Sequence, residues 1–164
     1  MKNKILLLTL FLAVLILGFV YVGWLFGPGA FPRAEFYEFD VQEDSLISII
    51  ESVKQENPEF ILPKSIKMPD GDYIELKDGR RDSTSHWHKI YFYYPDKKQI
   101  LLTWTRPTFT GKTTFAFASI NSFKKEWRWK PPNENFWWWK NQDDIDEFEH
   151  RILQKINTQL NSNK

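Results

Sequence analysis

The alternation of apolar and polar residues divides the chain into three kinds of stretch. The first is an apolar run, because residues 5–26 carry no charged side chain. As a helix this run is about 33 Å long, enough to cross a hydrocarbon core of about 30 Å. A secretory signal peptide is the alternative, but its apolar region is usually only about 7 to 15 residues long and ends at small residues. The candidate cleavage site begins at Pro28, so we expect an uncleaved membrane anchor.

Two later stretches have the spacing of amphipathic helices. The first predicts a helix over Asp44–Glu56 that ends before Pro58. Asp40 and Glu43 have the spacing of a capping box at its start. The second stretch lies near the C-terminus, where acidic residues precede an apolar stripe formed by Ile145, Phe148, Ile152, Ile156 and Leu160. We therefore expect two helices that each bury one face.

Much of the remaining sequence has the two-residue alternation of β-strands. Turn residues separate the strand-like runs, and the stretch from Pro95 to Lys98 is typical of a hairpin. The runs are residues 35–41, 73–77, 85–94, 99–105 and 108–120. We predict an α+β fold, in which an N-terminal transmembrane helix is followed by a two-layer domain, an antiparallel meander sheet with two helices packed on one face. The expected parts are a cytoplasmic stub with the transmembrane anchor (1–28), a linker (29–35) and an extracytoplasmic α+β domain (36–164).

The charges beside the apolar run predict its orientation. Lys2 and Lys4 precede the run, whereas Arg33 after it is accompanied by acidic residues, so the positive-inside rule places the N-terminus in the cytoplasm. The chain has no cysteine and no Asn-x-Ser/Thr site, which favours a bacterial envelope over a eukaryotic cell surface. We expect a single-pass protein of the cell membrane whose C-terminal domain lies in the bacterial periplasm.

Composition and motifs exclude several function classes. The 22 basic and 21 acidic residues nearly balance, so the chain lacks the basic excess by which proteins bind nucleic acid. The absence of cysteine excludes thiolate metal sites and cysteine nucleophiles. Residues 110–114 resemble part of a phosphate-binding loop, but the first glycine of that motif is missing. We predict no catalytic residue, no metal and no cofactor.

His86 and His88 are the candidates for a different function. They stand two positions apart and so share one face of a strand, although a zinc site needs three or four ligands. The alternative function is therefore an envelope hydrolase. It is either metal-assisted through these histidines or directed at a glycan through a pair of carboxylates.

The tryptophan-rich stretch, residues 126–140, holds five of the eight tryptophans. In its first half Trp127 and Trp129 alternate with Arg128, which predicts an edge strand with one apolar and one charged face. In its second half, residues 137–139 are three consecutive tryptophans. At least one of these three lies away from the core, because three consecutive side chains cannot share one face of a strand or a helix.

Three explanations are open for these aromatic residues. The rings form a secondary core, with Arg128 or Lys140 stacked on a ring face. They bind a partner, either an envelope protein or a glycan. Or they contact the bilayer surface. We predict a binding or assembly module rather than an enzyme, and the candidate binding residues are Trp127, Arg128, Trp129, Trp137, Trp138 and Trp139.

Overall fold

The structure, a computed structural model, describes residues 2–26, 31–123 and 126–162. The chain divides into two compact units, Met1–Pro32 and Arg33–Lys164. The first unit contains helix α1 (Lys2–Phe26). Within it Lys4–Val22 has a mean hydropathy of 3.0, so α1 is long and apolar enough to cross a membrane, a test that a signal sequence also passes.

The second unit is a mixed α/β fold with an antiparallel sheet, which confirms that part of the prediction. Its strands are β1 (Glu35–Phe39), β2 (Ile66–Lys67), β3 (Tyr73–Ile74), β4 (His88–Tyr94), β5 (Gln99–Pro107), β6 (Thr113–Ser122) and β7 (Trp129–Lys130). Its helices are α2 (Glu43–Glu56), α3 (Gln142–Phe148) and α4 (Gln154–Ser162), with a π-helical turn, Glu149–Leu153, between α3 and α4. The main sheet has the order β1–β6–β5–β4, β7 also pairs with β6, and β2 and β3 form a separate hairpin.

One face of the main sheet carries the larger core. Ile90, Phe92 and Tyr94 of β4 lie in it, because alternate residues of a strand share a face. The helices contribute Leu46, Ile50, Val53, Phe148, Ile152 and Ile156, all buried in the same cluster. The ring of Phe148 stacks on that of Phe117 in β6, with centroids 4.5 Å apart. Both helical segments therefore bury their apolar stripes against this face.

The opposite face has a smaller core of its own, which the prediction of two layers did not include. Tyr91 and Tyr93 of β4 lie in this second core together with Ile66 of β2. Phe123, Trp127 and Trp129 pack against the same cluster. The sheet is thus apolar on both faces. The segment that leads into β7 and the β2–β3 hairpin cover the face that the helices leave open.

Strand β6 contains a bulge that adjusts its contacts. Between Leu102 and Thr103 the pairing of β5 with β6 shifts by one residue, which leaves Ala118 as the extra residue of β6. Phe117 and Ile120 lie on either side of the bulge, three positions apart, and both belong to the larger core. In a regular strand, residues three positions apart point to opposite faces, so the bulge is what allows both side chains to face the same core.

Some local details differ from the sequence predictions. The predicted capping box is wrong, because α2 begins at Glu43, has Gln42 as its N-cap and makes no side-chain capping bond. The edge strand predicted for the tryptophan-rich stretch pairs only at Trp129 and Lys130. The run that begins at Tyr73 pairs over two residues, and β4 begins at His88 rather than three residues earlier.

The carboxylate of Glu43 does not cap the helix but forms buried polar contacts within the domain. It is 8% exposed and accepts a hydrogen bond of 2.9 Å from the hydroxyl of Thr105. Its other oxygen pairs with the guanidinium of Arg80, which also donates to the carbonyl oxygen of Ser85. A buried carboxylate needs such partners, because desolvation of an unpaired charge costs several kcal/mol.

A second buried charge lies three turns further along α2. Lys54 is buried, pairs with the carboxylate of Asp78, and has its ammonium group 5.0 Å from the ring centre of Phe92. The other carboxylate oxygen of Asp78 accepts a 2.8 Å hydrogen bond from the backbone N–H of Tyr91. The two ion pairs together hold the segment from Asp78 to Arg80 between α2 and the edge strand β4.

Replacement of Arg80 by alanine tests the first of these pairs. Arg80→Ala leaves Glu43 buried without its cation, and the loss of one partner of a buried pair costs about 3–5 kcal/mol. Arg80 is itself 34% exposed, so we expect a somewhat smaller loss, about 2 kcal/mol, in urea unfolding followed by fluorescence. The control is Arg81→Ala, because Arg81 is 84% exposed and pairs with its neighbour Asp82. Equal losses in the two variants would contradict the assignment.

Because Tyr94 is buried, we expect the stability of the domain to decrease at alkaline pH. This burial raises the pKa of the tyrosine hydroxyl above its ordinary value of 10.0. The unfolded chain ionises this tyrosine above about pH 10 while the folded domain keeps it protonated, so the free energy of unfolding falls as the pH rises. Tyr94→Phe should reduce that slope by up to about 1.4 kcal/mol per pH unit in urea titrations. Tyr73→Phe, at an exposed position, is the control; identical slopes in Tyr94→Phe and the parent would refute the prediction.

Candidate functional site

The tryptophan-rich stretch contains two structurally different groups of rings. Trp127 and Trp129 are half-buried and belong to the second core. Trp129 lies 6.3 Å from Tyr91 and 6.1 Å from Trp127 between ring centroids. Phe123 continues this row, 6.4 Å from Trp127. The position of these two tryptophans is explained by the packing of the sheet.

Arg128 lies on the charged side of the same segment. It pairs with Glu134 at 2.7 Å, and the next basic residue on that side, Lys130, lies 3.7 Å from Asp144. The first explanation included stacking of Arg128 or Lys140 on an aromatic ring. Among the described residues, the cation–π contacts are made by Lys54, Arg106 and Arg151 instead. A cavity of about 370 Å³ beside these pairs is lined by charged groups of both signs. Arg128 is therefore part of a surface ion pair.

The second group of rings is exposed to solvent. We call it the aromatic loop, residues Phe136–Trp139. The exposed fractions of its four side chains are 90% for Phe136, 51% for Trp137, 70% for Trp138 and 53% for Trp139. The sequence predicted that at least one of the three tryptophans would lie away from the core, and in the structure all three do. Phe136, the most exposed of the four, was not among the predicted binding residues.

The rings of the aromatic loop contact one another. Trp137 and Trp139 stack, with centroids 5.0 Å apart and planes inclined by 28°. Phe136 lies edge-on to Trp137 at 5.1 Å, and Trp138 lies edge-on to Trp139 at 6.1 Å. Such contacts stabilise each pair by about 0.5–1.5 kcal/mol beyond its burial. The four rings therefore form one continuous group rather than four independent side chains.

A buried asparagine fixes the ends of this loop. Asn141 is 4% exposed, and its side-chain oxygen accepts hydrogen bonds from the backbone N–H of Asn135 at 3.0 Å and from the amide of Asn135 at 2.9 Å. Its side-chain NH2 group donates to the carbonyl oxygen of Asn135 at 3.0 Å. Backbone bonds from Lys140 to Trp137 and from Asn141 to Trp138 form a 3₁₀ turn between the two asparagines. The loop is thus held in one conformation from within.

The base of the loop is attached to the beginning of the domain. The backbone N–H of Asn133 donates to the carbonyl oxygen of Arg33 at 3.1 Å. Its side-chain amide donates to the carboxylate of Glu35, the first residue of β1, at 2.8 Å. The aromatic loop begins three residues after Asn133. It therefore leaves the domain close to the point where the chain enters it.

The histidine pair does not develop into a metal site among the described residues. His88 is the first residue of β4, whereas His86 lies in the preceding bend and is exposed. Within the described parts of the chain, no three or more histidine or acidic side chains lie close enough together to hold a metal ion. The third histidine, His150, lines a different cavity of about 630 Å³ beside the π-helical turn.

The charged groups beside that cavity are engaged with one another. Arg151 donates to Asp96 and to Glu147, and its guanidinium lies 3.9 Å from the ring centre of Tyr94. The hydrogen bond from Arg151 lowers the pKa of the Asp96 carboxyl. These contacts connect α3 and the π-helical turn to the β4–β5 turn. We therefore assign them a structural role.

The bridge between Asn135 and Asn141 can be tested by substitution. Asn141→Ala removes three hydrogen bonds and leaves the N–H of Asn135 without its acceptor, a loss of about 1–3 kcal/mol. We expect faster hydrogen exchange at the amides of residues 137–141, while the amides of β4 and β5 keep their protection. The control is Asn161→Ala, because Asn161 is an exposed asparagine of α4. Unchanged exchange in the loop would contradict the proposed bridge.

The position of the aromatic loop is thus defined by its own hydrogen bonds and by those of Asn133. Similarity to known proteins adds nothing to this description of the site. Searches of the chain against family models, against curated proteins and against solved structures find no match in any of the three.

Proposed function

We propose that the chain is a single-pass, membrane-anchored protein of the bacterial envelope. Its extracytoplasmic domain acts as a binding or assembly module, and the aromatic loop is the binding surface. The observation that carries this proposal is the exposure of four consecutive aromatic side chains on a loop that is fixed by the buried Asn141. Helix α1 is the proposed anchor, with the N-terminus in the cytoplasm.

The length and charge of α1 support the anchor. Lys4–Val22 is apolar enough to cross a membrane, and its described side chains are exposed within the helical unit. The two lysines at positions 2 and 4 lie at the N-terminal end of α1, as the positive-inside rule requires of a cytoplasmic N-terminus. Tyr21 near the other end is typical of the aromatic belt at a membrane surface.

The amount of exposed aromatic surface supports the binding role. A buried aromatic side chain covers about 150–250 Å², so the exposed parts of these four rings amount to roughly 500 Å². The largest apolar patch of a typical soluble monomer is about 300–600 Å² and often has a function. Coverage of this area is worth roughly 10 kcal/mol before the costs of association are subtracted.

The rigidity of the loop also supports a binding role. A flexible loop loses conformational entropy when it binds, about 0.5–1.5 kcal/mol for each side chain that becomes fixed. The hydrogen bonds between Asn135 and Asn141 have already fixed the backbone. The stacked contact of Trp137 with Trp139 restricts two of the rings as well. The hydrolase alternative has no comparable support among the described residues.

A single introduced cysteine tests whether the loop is occupied, because the chain has no cysteine of its own. Phe136→Cys places a thiol in the aromatic loop, and Tyr73→Cys places one at another exposed aromatic position. Each full-length variant is expressed in bacteria, and spheroplasts without detergent are treated with a membrane-impermeant maleimide. We expect the thiol at position 73 to react and the thiol at position 136 to react about tenfold more slowly, the protection that an association of about 1.4 kcal/mol gives.

Two results would contradict the proposal. If the thiol at position 73 reacts only after lysis of the cells, the domain is not extracytoplasmic. If the thiol at position 136 reacts as fast as the one at position 73 in intact membranes, the aromatic loop is unoccupied and is not a binding surface. Urea unfolding of both variants in detergent verifies that each domain is folded, since both replaced side chains are exposed and contribute little to its stability.

A further inference from the structure

We propose that the aromatic loop binds the lipid–water interface of the same membrane in which α1 is anchored. This inference rests on the proposed function and names the partner of its binding surface. The rings of residues 136–139 enter the boundary between headgroups and acyl chains, and Lys140 remains among the headgroups. The loop thereby attaches the domain to the bilayer surface at a second point.

The composition of the loop matches that of an interfacial segment. Its four aromatic residues are followed by an exposed lysine, and residues 136–140 include no acidic residue. The nearest acidic residues on either side of the loop are Glu134, which pairs with Arg128, and Asp143. Tryptophan is enriched where membranes meet water, and a cationic side chain beside it is attracted by anionic lipids.

The attachment of the loop to Arg33 keeps it near the membrane. Arg33 is the seventh residue after the end of α1 at Phe26, and seven residues span at most about 25 Å. If α1 crosses the bilayer, the first residue of the domain cannot move further than this from its surface. Asn133 is hydrogen-bonded to Arg33, and Phe136 follows it by three residues, or about 10 Å of chain.

The arrangement of the rings is less suited to a glycan. A sugar stacks on the open face of an aromatic ring, whereas Trp137 and Trp139 stack on each other and their neighbours meet them edge-on. Four cavities of the domain that are lined by described residues include no residue of the aromatic loop. The rings are exposed, and exposed apolar rings can enter a deformable medium without a matching cavity.

The area of the loop also distinguishes a membrane from a protein partner. A stable protein–protein interface buries about 800 Å² on each side, more than the roughly 500 Å² of exposed aromatic surface. A loop that is tethered to the bilayer needs much less, because the anchor keeps its effective concentration at the membrane surface high. A contact that is weak for free molecules is then sufficient to keep the loop inserted.

The test uses purified full-length protein in vesicles of phosphatidylcholine and phosphatidylglycerol, which contain no other protein and no glycan. Phe136→Cys and Tyr73→Cys are treated with the impermeant maleimide, and only the protein that faces outward reacts. Because both thiols lie in the same domain, the ratio of their rates is independent of orientation. We expect the thiol at position 136 to react about tenfold more slowly than the one at position 73, as in spheroplasts, a difference equivalent to about 1.4 kcal/mol.

A fluorescent label at the same positions gives a second measurement. An environment-sensitive fluorophore on the thiol of Phe136→Cys should be quenched by lipids that carry a nitroxide on the acyl chain, and one on the thiol of Tyr73→Cys should not. Trp138→Ala with Trp139→Ala in the Phe136→Cys background should reduce both the quenching and the protection. A circular dichroism spectrum that matches the parent verifies the fold of this variant.

The outcomes separate this inference from the proposed function. Protection and quenching at position 136 in lipid vesicles support the membrane surface as the partner. Protection in spheroplasts without protection in vesicles overturns the inference and indicates a protein or a glycan, while the proposed binding role survives. Equal reactivity of the thiols at positions 136 and 73 in both preparations overturns both proposals.

Discussion

A sheet that is apolar on both faces must be covered twice, and this requirement determines the use of most other parts of the domain. Strand β4 shows it most directly, because Phe92 lies in one core and its neighbour Tyr91 in the other. The helices cover the first face. The second face is covered by short pieces of chain, among them the row of Trp127 and Trp129. The tryptophans of the aromatic loop follow β7, belong to neither core and are exposed.

The sequence predicted the helices and strands in which apolar residues recur at regular spacing. The predicted helix Asp44–Glu56 agrees with α2 except for one residue at its start. The agreement is close because the apolar spacing is regular and Pro58 ends the helix. Strands β4, β5 and β6 were found through their alternation. A secondary core was one of the explanations offered for the tryptophans, but the part that β2 and β3 play in it was missed, since each contributes only two paired residues, too few for a periodic signal. The bulge at Ala118 and the π-helical turn leave no pattern in the sequence. The bulge depends on how β6 pairs with β5, and the π-helical turn depends on which backbone hydrogen bonds form between neighbouring turns of the helix.

The candidate site was predicted only in part, and the reason is again burial. Residue type and spacing marked all five tryptophans of the stretch equally, although Trp129 lies in a core and Trp138 is largely exposed. Only the position of β7 beside β6 separates the two groups. Asn141 was overlooked because an asparagine in a polar loop usually forms a local turn. Its burial depends on contacts with Asn135 that no periodicity reveals.

The hydrogen bonds of Asn133 have a mechanical consequence. Arg33 is the first residue of the second unit, so a force applied to the chain that precedes this unit enters it there. The force then divides between the ladder of β1 with β6 and the two bonds that Asn133 makes with Arg33 and Glu35. One of these paths leads from Asn133 into the aromatic loop three residues later, and the other leads along β1 into the larger core. The base of the aromatic loop therefore shares with β1 any load that enters the domain at Arg33.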